Sequence, residues 1–238
     1  MKQKRLKLSR ELLLLLLFIS GCVNLQRSYP DRHYFALEAA AVEKPANPGG
    51  SGILEVSNLS ISRRYEGQNF VYRTSDTGYE TDFYNNFLIL PAAMITEEVR
   101  KSLEQSRLFA YVIGPSSDLP ANYVLEGSVN ALYGDFSSSG PKAVIEIQFF
   151  LTQSASADNQ VLLAKTYSQS APVASKTPEA LVKGWDQALN AIIASLITDI
   201  DATRATNERS KRSNSSPEGT QEGSNRSSSS TADAPFNR

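Results

Sequence analysis

One cysteine and one histidine, Cys22 and His33, are all that this 238-residue chain has of either type. With Cys22 committed elsewhere, one subunit can form no disulfide, no cysteine nucleophile and no Cys-based zinc site. A Ser-His-Asp triad would have to use His33, and no G-x-S-x-G elbow supplies its serine. His33 reads as a bland, exposed or half-packed histidine in a tether or first strand. Phosphate loops are missing too: neither G-x-x-x-x-G-K-[ST] nor G-x-G-x-x-G occurs. Any ATP hydrolysis therefore belongs to a partner. The carboxylates Asp82, Glu97, Glu98 and Asp135 remain as an acid–base resource, but nothing in their spacing pairs them. The sequence predicts a protein that is not an enzyme, with no resident cofactor and no metal.

A membrane-spanning run is missing as well. The apolar stretch Leu12 to Ile19 has eight residues, so as a helix it reaches about 12 Å, against the roughly 30 Å of a bilayer core. It follows Lys2, Lys4, Arg5, Lys7 and Arg10 and leads into Ser20-Gly21. Basic region, apolar region and small-residue exit are the three parts of an export signal. Ile19-Ser20-Gly21-Cys22 resembles the lipobox of bacterial lipoproteins. That resemblance implies cleavage after Gly21, a diacylglycerol on the Cys22 thiol and an acylated new amino terminus. One acyl chain holds a protein to a bilayer only marginally, whereas two or more anchor it stably. Val23 stands where lipoproteins retained in the inner membrane often carry Asp, so the same resemblance implies the periplasmic face of the outer membrane.

The signal takes five of 24 basic and one of 25 acidic residues, leaving 19 against 24, a formal net charge of −5. A mildly acidic body lacks the basic footprint of a nucleic-acid binder. The remaining 217 residues suffice for one domain with a real core plus tails. The expected boundaries are a signal over 1–21, an anchor, tether and linker over 22–52, a folded domain over 53–203 and a disordered Ser-rich tail over 204–238. Tyr34 to Leu37 is a brief strand candidate before the Ala/Pro/Gly-rich stretch from Ala39 to Gly52.

Within the domain, Ile53 to Val56 is strand-like, and Phe70 to Thr74 and Tyr79 to Phe83 flank the turn-rich Ser75-Asp76-Thr77-Gly78, predicting a hairpin. From Pro91 the apolar residues Ala92, Ile95, Val99 and Leu103 recur at helical spacing. Leu108 to Ile113 then reads as a strand, and strand–helix–strand order invites a parallel crossover. Strict alternation at Leu125 to Ala131 and at Ile145 to Leu151, with Val161 to Tyr167, predicts an antiparallel meander. Thr177-Pro178-Glu179 has the chemistry of a helix start. Leu181, Trp185, Leu189, Ile192, Leu196 and Ile200 make a wide apolar stripe, whose scarcity of opposing basic residues favours burial on a sheet over membrane binding.

Phe70 to Thr74, Tyr79 to Tyr84 with Phe87-Leu88 and Pro91, Tyr123 to Gly127 with Ala131 to Asp135, and Pro141 to Phe150 together form an ordered series. With the lipobox, this series resembles the ABC-type transport auxiliary lipoproteins over about 22–200. The resemblance implies an α+β fold, a two-layer sandwich of one mixed, mostly antiparallel sheet packed by two helices. It also implies a non-enzymatic partner of an ABC permease and ATPase complex and of a mammalian-cell-entry (MCE) domain protein, in systems that move lipids or other hydrophobic molecules between membranes. Arg64, Tyr72, Arg73, Tyr79 and Tyr84 are the candidate partner-binding residues, because Arg and Tyr are enriched at binding hot spots. Pairing of these aromatics within the hairpin is the competing structural role. A helper of outer-membrane complex assembly, a direct lipid carrier and, weakest for want of a nucleophile constellation, a periplasmic hydrolase are the alternatives, and self-association into a homo-oligomer stays open.

Overall fold

The computed structural model describes residues 31–40, 50–138, 140–154 and 159–214. In chain order it contains β1 (His33–Phe35), β2 (Ile53–Val56), β3 (Ser60–Ile61), a 3-10 turn (Arg63–Tyr65), β4 (Asn69–Arg73) and β5 (Tyr79–Phe87). Helix α1 (Pro91–Ser106), β6 (Tyr111–Ile113), β7 (Tyr123–Asp135), β8 (Lys142–Ser154), β9 (Asn159–Pro172) and α2 (Pro178–Asn214) follow. Cys22, Gly21 and the stretch 215–238 lie outside the described residues.

All nine strands form one mixed sheet, covered by both helices. Its frame is the predicted meander, longer than the alternation suggests: β7 pairs antiparallel with β8, and β8 with β9, along almost their whole lengths. The other edge of β7 is shared by three short parallel partners: β2 at Val124, β3 at Ser128 and β4 at Gly134. Residues 53–73 thus run beside β7 as one interrupted strand that detours through the 3-10 turn. The hairpin β4–β5 closes where expected, with Thr74 N–H donating to Gly78 O at 3.0 Å. The crossover differs from the expectation, because β6 joins β2 in parallel at the far end of the sheet instead of pairing with β5. A helix of sixteen residues spans about 24 Å, enough to cross several strands before the chain rejoins the sheet.

The core lies between sheet and helices. Alternation on β8 buries Ala143, Ile145, Ile147, Phe149 and Leu151 on one face, and α2 lays Leu181, Trp185, Leu189, Ile192 and Leu196 on them. Trp185 is fully buried and donates its indole N–H to Tyr133 O at 3.3 Å, so its stripe is core and not a membrane face. Gly184 lets the backbones approach there, since an added Cβ would lie 2.7 Å from Ala143 Cβ and 2.6 Å from Val173 Cγ1. Among the described residues no helix is long and apolar enough to cross a membrane.

The folded body extends beyond the expected boundaries at both ends. Residues 33–40 lie before the expected boundary at 53, yet the strand candidate at Tyr34 is borne out as His33–Phe35 pairing with β5, Leu37 is buried and the stretch fastens to both helices. Backbone N–H groups of Glu38, Ala39 and Ala40 donate to Asp186 Oδ1 (3.0 Å), Glu98 Oε2 (2.8 Å) and Asn190 Oδ1 (2.7 Å). At the other end α2 continues through Asn214, past the boundary at 203, because Arg204 makes tertiary contacts. Its guanidinium lies 4.4 Å from the Phe109 ring centre and 5.5 Å from that of Tyr123, and it donates to Leu108 O and, at 3.0 Å, to Ser51 O. Gly50 sits against the Leu108 backbone so closely that no Cβ fits.

One helix start departs from local rules. The N-cap of α1 is Leu90, 54% exposed, with no side-chain cap hydrogen bond. Leu90→Asp is expected to raise stability by about 1 kcal/mol, a gain in thermal midpoint of roughly 2–4 °C, by capping the first-turn N–H groups. Unchanged calorimetric melting would contradict that reading of the helix start.

Candidate functional site

Period-2 alternation decides which candidate side chains can meet. Arg73 and Tyr79 face one another across the β4–β5 ladder, so both emerge on the sheet face away from the helices. Arg64, presented by the 3-10 turn, places its guanidinium 4.8 Å from the Tyr79 ring centre and 6.0 Å from that of Tyr65. Tyr65 stacks on Tyr133 at 6.1 Å, and Tyr79 meets the same ring edge-on at 6.0 Å. Tyr65 is buried beneath this assembly, while Arg64 and Tyr79 are exposed. Arg73 completes it through ion pairs to Asp76 (3.6 Å) and Asp135 (3.7 Å) and an Nε–H hydrogen bond to Ser75 O at 3.2 Å. The result is a solvent-facing platform of three tyrosine rings with the Arg64 guanidinium over two of them and the ion-paired Arg73 beside them. A cation held over aromatic faces, as Arg64 is, keeps its orientation while remaining available for a carboxylate or backbone carbonyl of a partner.

Tyr72 and Tyr84 lie elsewhere. Tyr72 points to the opposite face, stacks on Phe136 at 5.1 Å and donates its hydroxyl to Asp82 Oδ2 at 2.6 Å. Burial, with that hydrogen bond and the aspartate charge behind it, pushes the Tyr72 hydroxyl far above its ordinary range. Tyr84 sits on a bulge of β5 between Thr81 and Asn86, where its ring lies 5.2 Å from that of Phe83. Asp82 builds this bulge: Oδ1 accepts the N–H groups of Tyr84 (2.8 Å) and Asn85 (3.0 Å), and Oδ2 also accepts the Asn85 side-chain N–H at 2.8 Å.

Burial alone would raise the Asp82 carboxyl, but these hydrogen bonds outweigh it and hold it below the usual 3.8. A depressed carboxylate contributes stability above its unfolded value and loses it as pH falls through the lower folded value. Asp82→Asn is therefore expected to lower stability at neutral pH and to flatten the decline below about pH 4, as read by urea unfolding across pH. An unchanged acid limb would remove the bulge from the acid sensitivity of the fold.

Of the remaining carboxylates, Glu97 is exposed on α1, while Glu98 and Asp135 are engaged by structure. Glu98 holds Ala39 N–H, and Asp135 pairs with Arg73 and accepts from Ser137 N–H and Oγ–H. Among the described residues no cluster of three or more His, Cys, Asp or Glu gathers as a metal site. Sequence reasoning chose Arg64, Arg73 and Tyr79 by residue type but did not single out Tyr65, whose one-turn helix has no periodic signal.

A family model described as the ABC-type transport auxiliary lipoprotein component matches residues 35–196. The chain belongs to this family. The family match begins inside β1, in agreement with the fastening of 33–40 to the body. This auxiliary lipoprotein also resembles solved structures. A Xanthomonas campestris protein of the DUF330 family is 21% identical with a TM-score of 0.66, over 74% of this chain and 99% of the other. A second crystal structure, of an uncharacterized protein, is 15% identical with a TM-score of 0.57, over 71% and 99%. At such identities the likeness shows a shared fold and nothing about a shared ligand. No curated protein sequence matches the auxiliary lipoprotein.

Proposed function

We propose that the protein is a non-enzymatic docking component of an ABC transport system, tethered through acylated Cys22 to the periplasmic face of the outer membrane. Its partner is the MCE-domain protein of an inner-membrane permease and ATPase complex that moves lipids or other hydrophobic molecules. The observation that carries this reading is the Arg64–Tyr79–Arg73 platform, an exposed hot-spot chemistry on a member of a transport auxiliary family. A hydrophobic molecule wetted in the periplasm loses roughly 25 cal/mol for each Å² of apolar surface, so its route needs shelter from end to end. A tethered docking module holds the far end of such a route at raised local concentration without improving any contact.

Direct carriage of lipid is less well supported by the interior. The space between sheet and helices is filled by Trp185, Phe70, Phe149 and the aliphatic core. A groove of about 450 Å³ between β9 and α2 is lined by Gln160, Thr203, Thr206 and Asn207 beside Val161 and Leu162, and opens to solvent.

The experiment is photo-crosslinking in intact cells from an aryl azide at position 79, followed by mass spectrometry of the adduct. The expected adduct is the MCE-domain protein. An adduct with an outer-membrane barrel would replace this reading with assembly assistance, and an adduct with a second copy would make the platform a self-association surface.

A further inference from the structure

Ten large apolar side chains are exposed among the described residues, and six of them line the β1 edge of the sheet, Phe83 and Tyr84 before the β1–β5 ladder, Tyr34 within it and Leu88 to Leu90 beyond it in the turn into α1. They are Tyr34, Phe83, Tyr84, Leu88, Ile89 and Leu90. Their proximity follows from the ladder: Tyr34 pairs with Asn86, and Leu88 N–H donates to Phe35 O at 2.8 Å. Several are held outward against local preference. Leu90 takes an N-cap position that favours Ser, Thr, Asp or Asn. Phe83, 59% exposed, and Tyr84 are carried out of the strand by the bulge that Asp82 organises. Exposed apolar groups gathered where local rules ask for polar ones mark a surface with an occupant.

The path of the chain identifies that occupant. Arg32 enters β1 beside this patch, its guanidinium 4.4 Å from the Phe83 ring centre. Ten residues lead from Cys22 to Arg32, a length that spans at most about 33–36 Å when fully extended. A compact body of this size is about 40 Å across. Full extension keeps Arg32 off the remote side, and the average reach of a flexible ten-residue chain, roughly 16–19 Å, puts Arg32 and the patch on the half of the body nearer the bilayer. Its chemistry suits that place. Tyr34 and Tyr84 have apolar bodies and polar tips, the type enriched at headgroup depth, and Arg32 adds a cation for lipid phosphate.

We propose that this edge rests in the phospholipid leaflet that holds the Cys22 lipid, inserting Phe83, Leu88, Ile89 and Leu90 at headgroup depth; the proposal rests on the lipid-anchor reading. Tyr79 stands four residues along β5 from Phe83, about 13 Å at strand rise, so the Arg64–Arg73–Tyr79 platform stays outside the inserted edge.

The test uses the single-cysteine composition, since acylation of Cys22 leaves an introduced thiol as the only free one. Full-length acylated Leu88→Cys and Asp76→Cys proteins are labelled with nitrobenzoxadiazole and reconstituted into vesicles of phosphatidylethanolamine and phosphatidylglycerol. Asp76 lies at the other end of the hairpin with a 99% exposed side chain. The expected result at position 88 is blue-shifted emission, quenching by doxyl-labelled lipid and several-fold weaker quenching by aqueous iodide than at position 76. Adding Phe83→Ser and Leu90→Asp should abolish the doxyl quenching while the protein still floats with the vesicles. Equal iodide quenching at both sites without doxyl quenching overturns the proposal. So does protection at position 88 without doxyl quenching that fades as protein is diluted into more lipid, which would mark contact between copies. A bare Cys22 by mass spectrometry, with neither protein floating, removes the tether and this inference with it, whereas an acylated Cys22 with an accessible position 88 removes this inference alone.

Discussion

Arg204→Ala is expected to destabilise the protein by about 3 kcal/mol, lowering the thermal midpoint by roughly 6–12 °C. The side chain is 8% exposed and ties three distant segments together: Ser51 before β2, Leu108 after α1, and α2 itself. Truncation leaves two carbonyls without their donor and strips one face from Phe109 and Tyr123. An orphaned buried carbonyl costs about 1–3 kcal/mol, and the lost ring contacts add to it. Arg204→Lys keeps the charge but replaces a fork with a point, so it should recover less than half of the loss. Arg204 Nε–H is buried without a hydrogen-bond partner, so its removal relieves a desolvation cost and offsets part of the loss. Urea unfolding followed by fluorescence of the single, buried Trp185 reads the effect. A midpoint within error of the parent protein would mean that the far end of α2 carries no stability.

The second large effect is on association. Arg64→Ala with Tyr79→Ala is expected to weaken binding to the transporter about 100-fold, close to 3 kcal/mol, with unfolding behaviour unchanged because both side chains are exposed. The single variants should each cost about tenfold or more, and their sum should differ from the double loss because the two side chains touch at 4.8 Å. Arg73→Ala should matter less, since that guanidinium is already engaged by Asp76 and Asp135. Co-purification of the double variant at the parent level would remove the platform from the interface.

Local pattern carried much of the fold. Alternation reported the meander, three- and four-residue spacing reported both helices, and Thr177 caps α2 as its chemistry suggests, accepting from Ala180 N–H at 3.3 Å. The parallel partners of β7 were not legible, because segments of two to five residues take their pairing from distant chain and not from their own period. Arg204 was hidden for another reason: it lies in a polar stretch whose composition reads as tail, and only the rings of Phe109 and Tyr123 make it a core residue. Within the candidate site, one part was available and unused. Tyr72 and Arg73 are neighbours on a strand, so period 2 sends them to opposite faces and only one can join the platform. The Tyr65–Tyr133 stack depends on a detour that no periodicity announces.

The Arg204–Ser51 contact joins residues 153 positions apart, and synthesis delivers α2 last. Until that helix arrives, the inner row of β8, Ile145, Ile147, Phe149 and Leu151, has no cover, and the nascent molecule is adhesive along that row. The timing of its maturation is therefore set by α2, and a chain truncated before residue 204 would be a species suited to capture by chaperones or proteases.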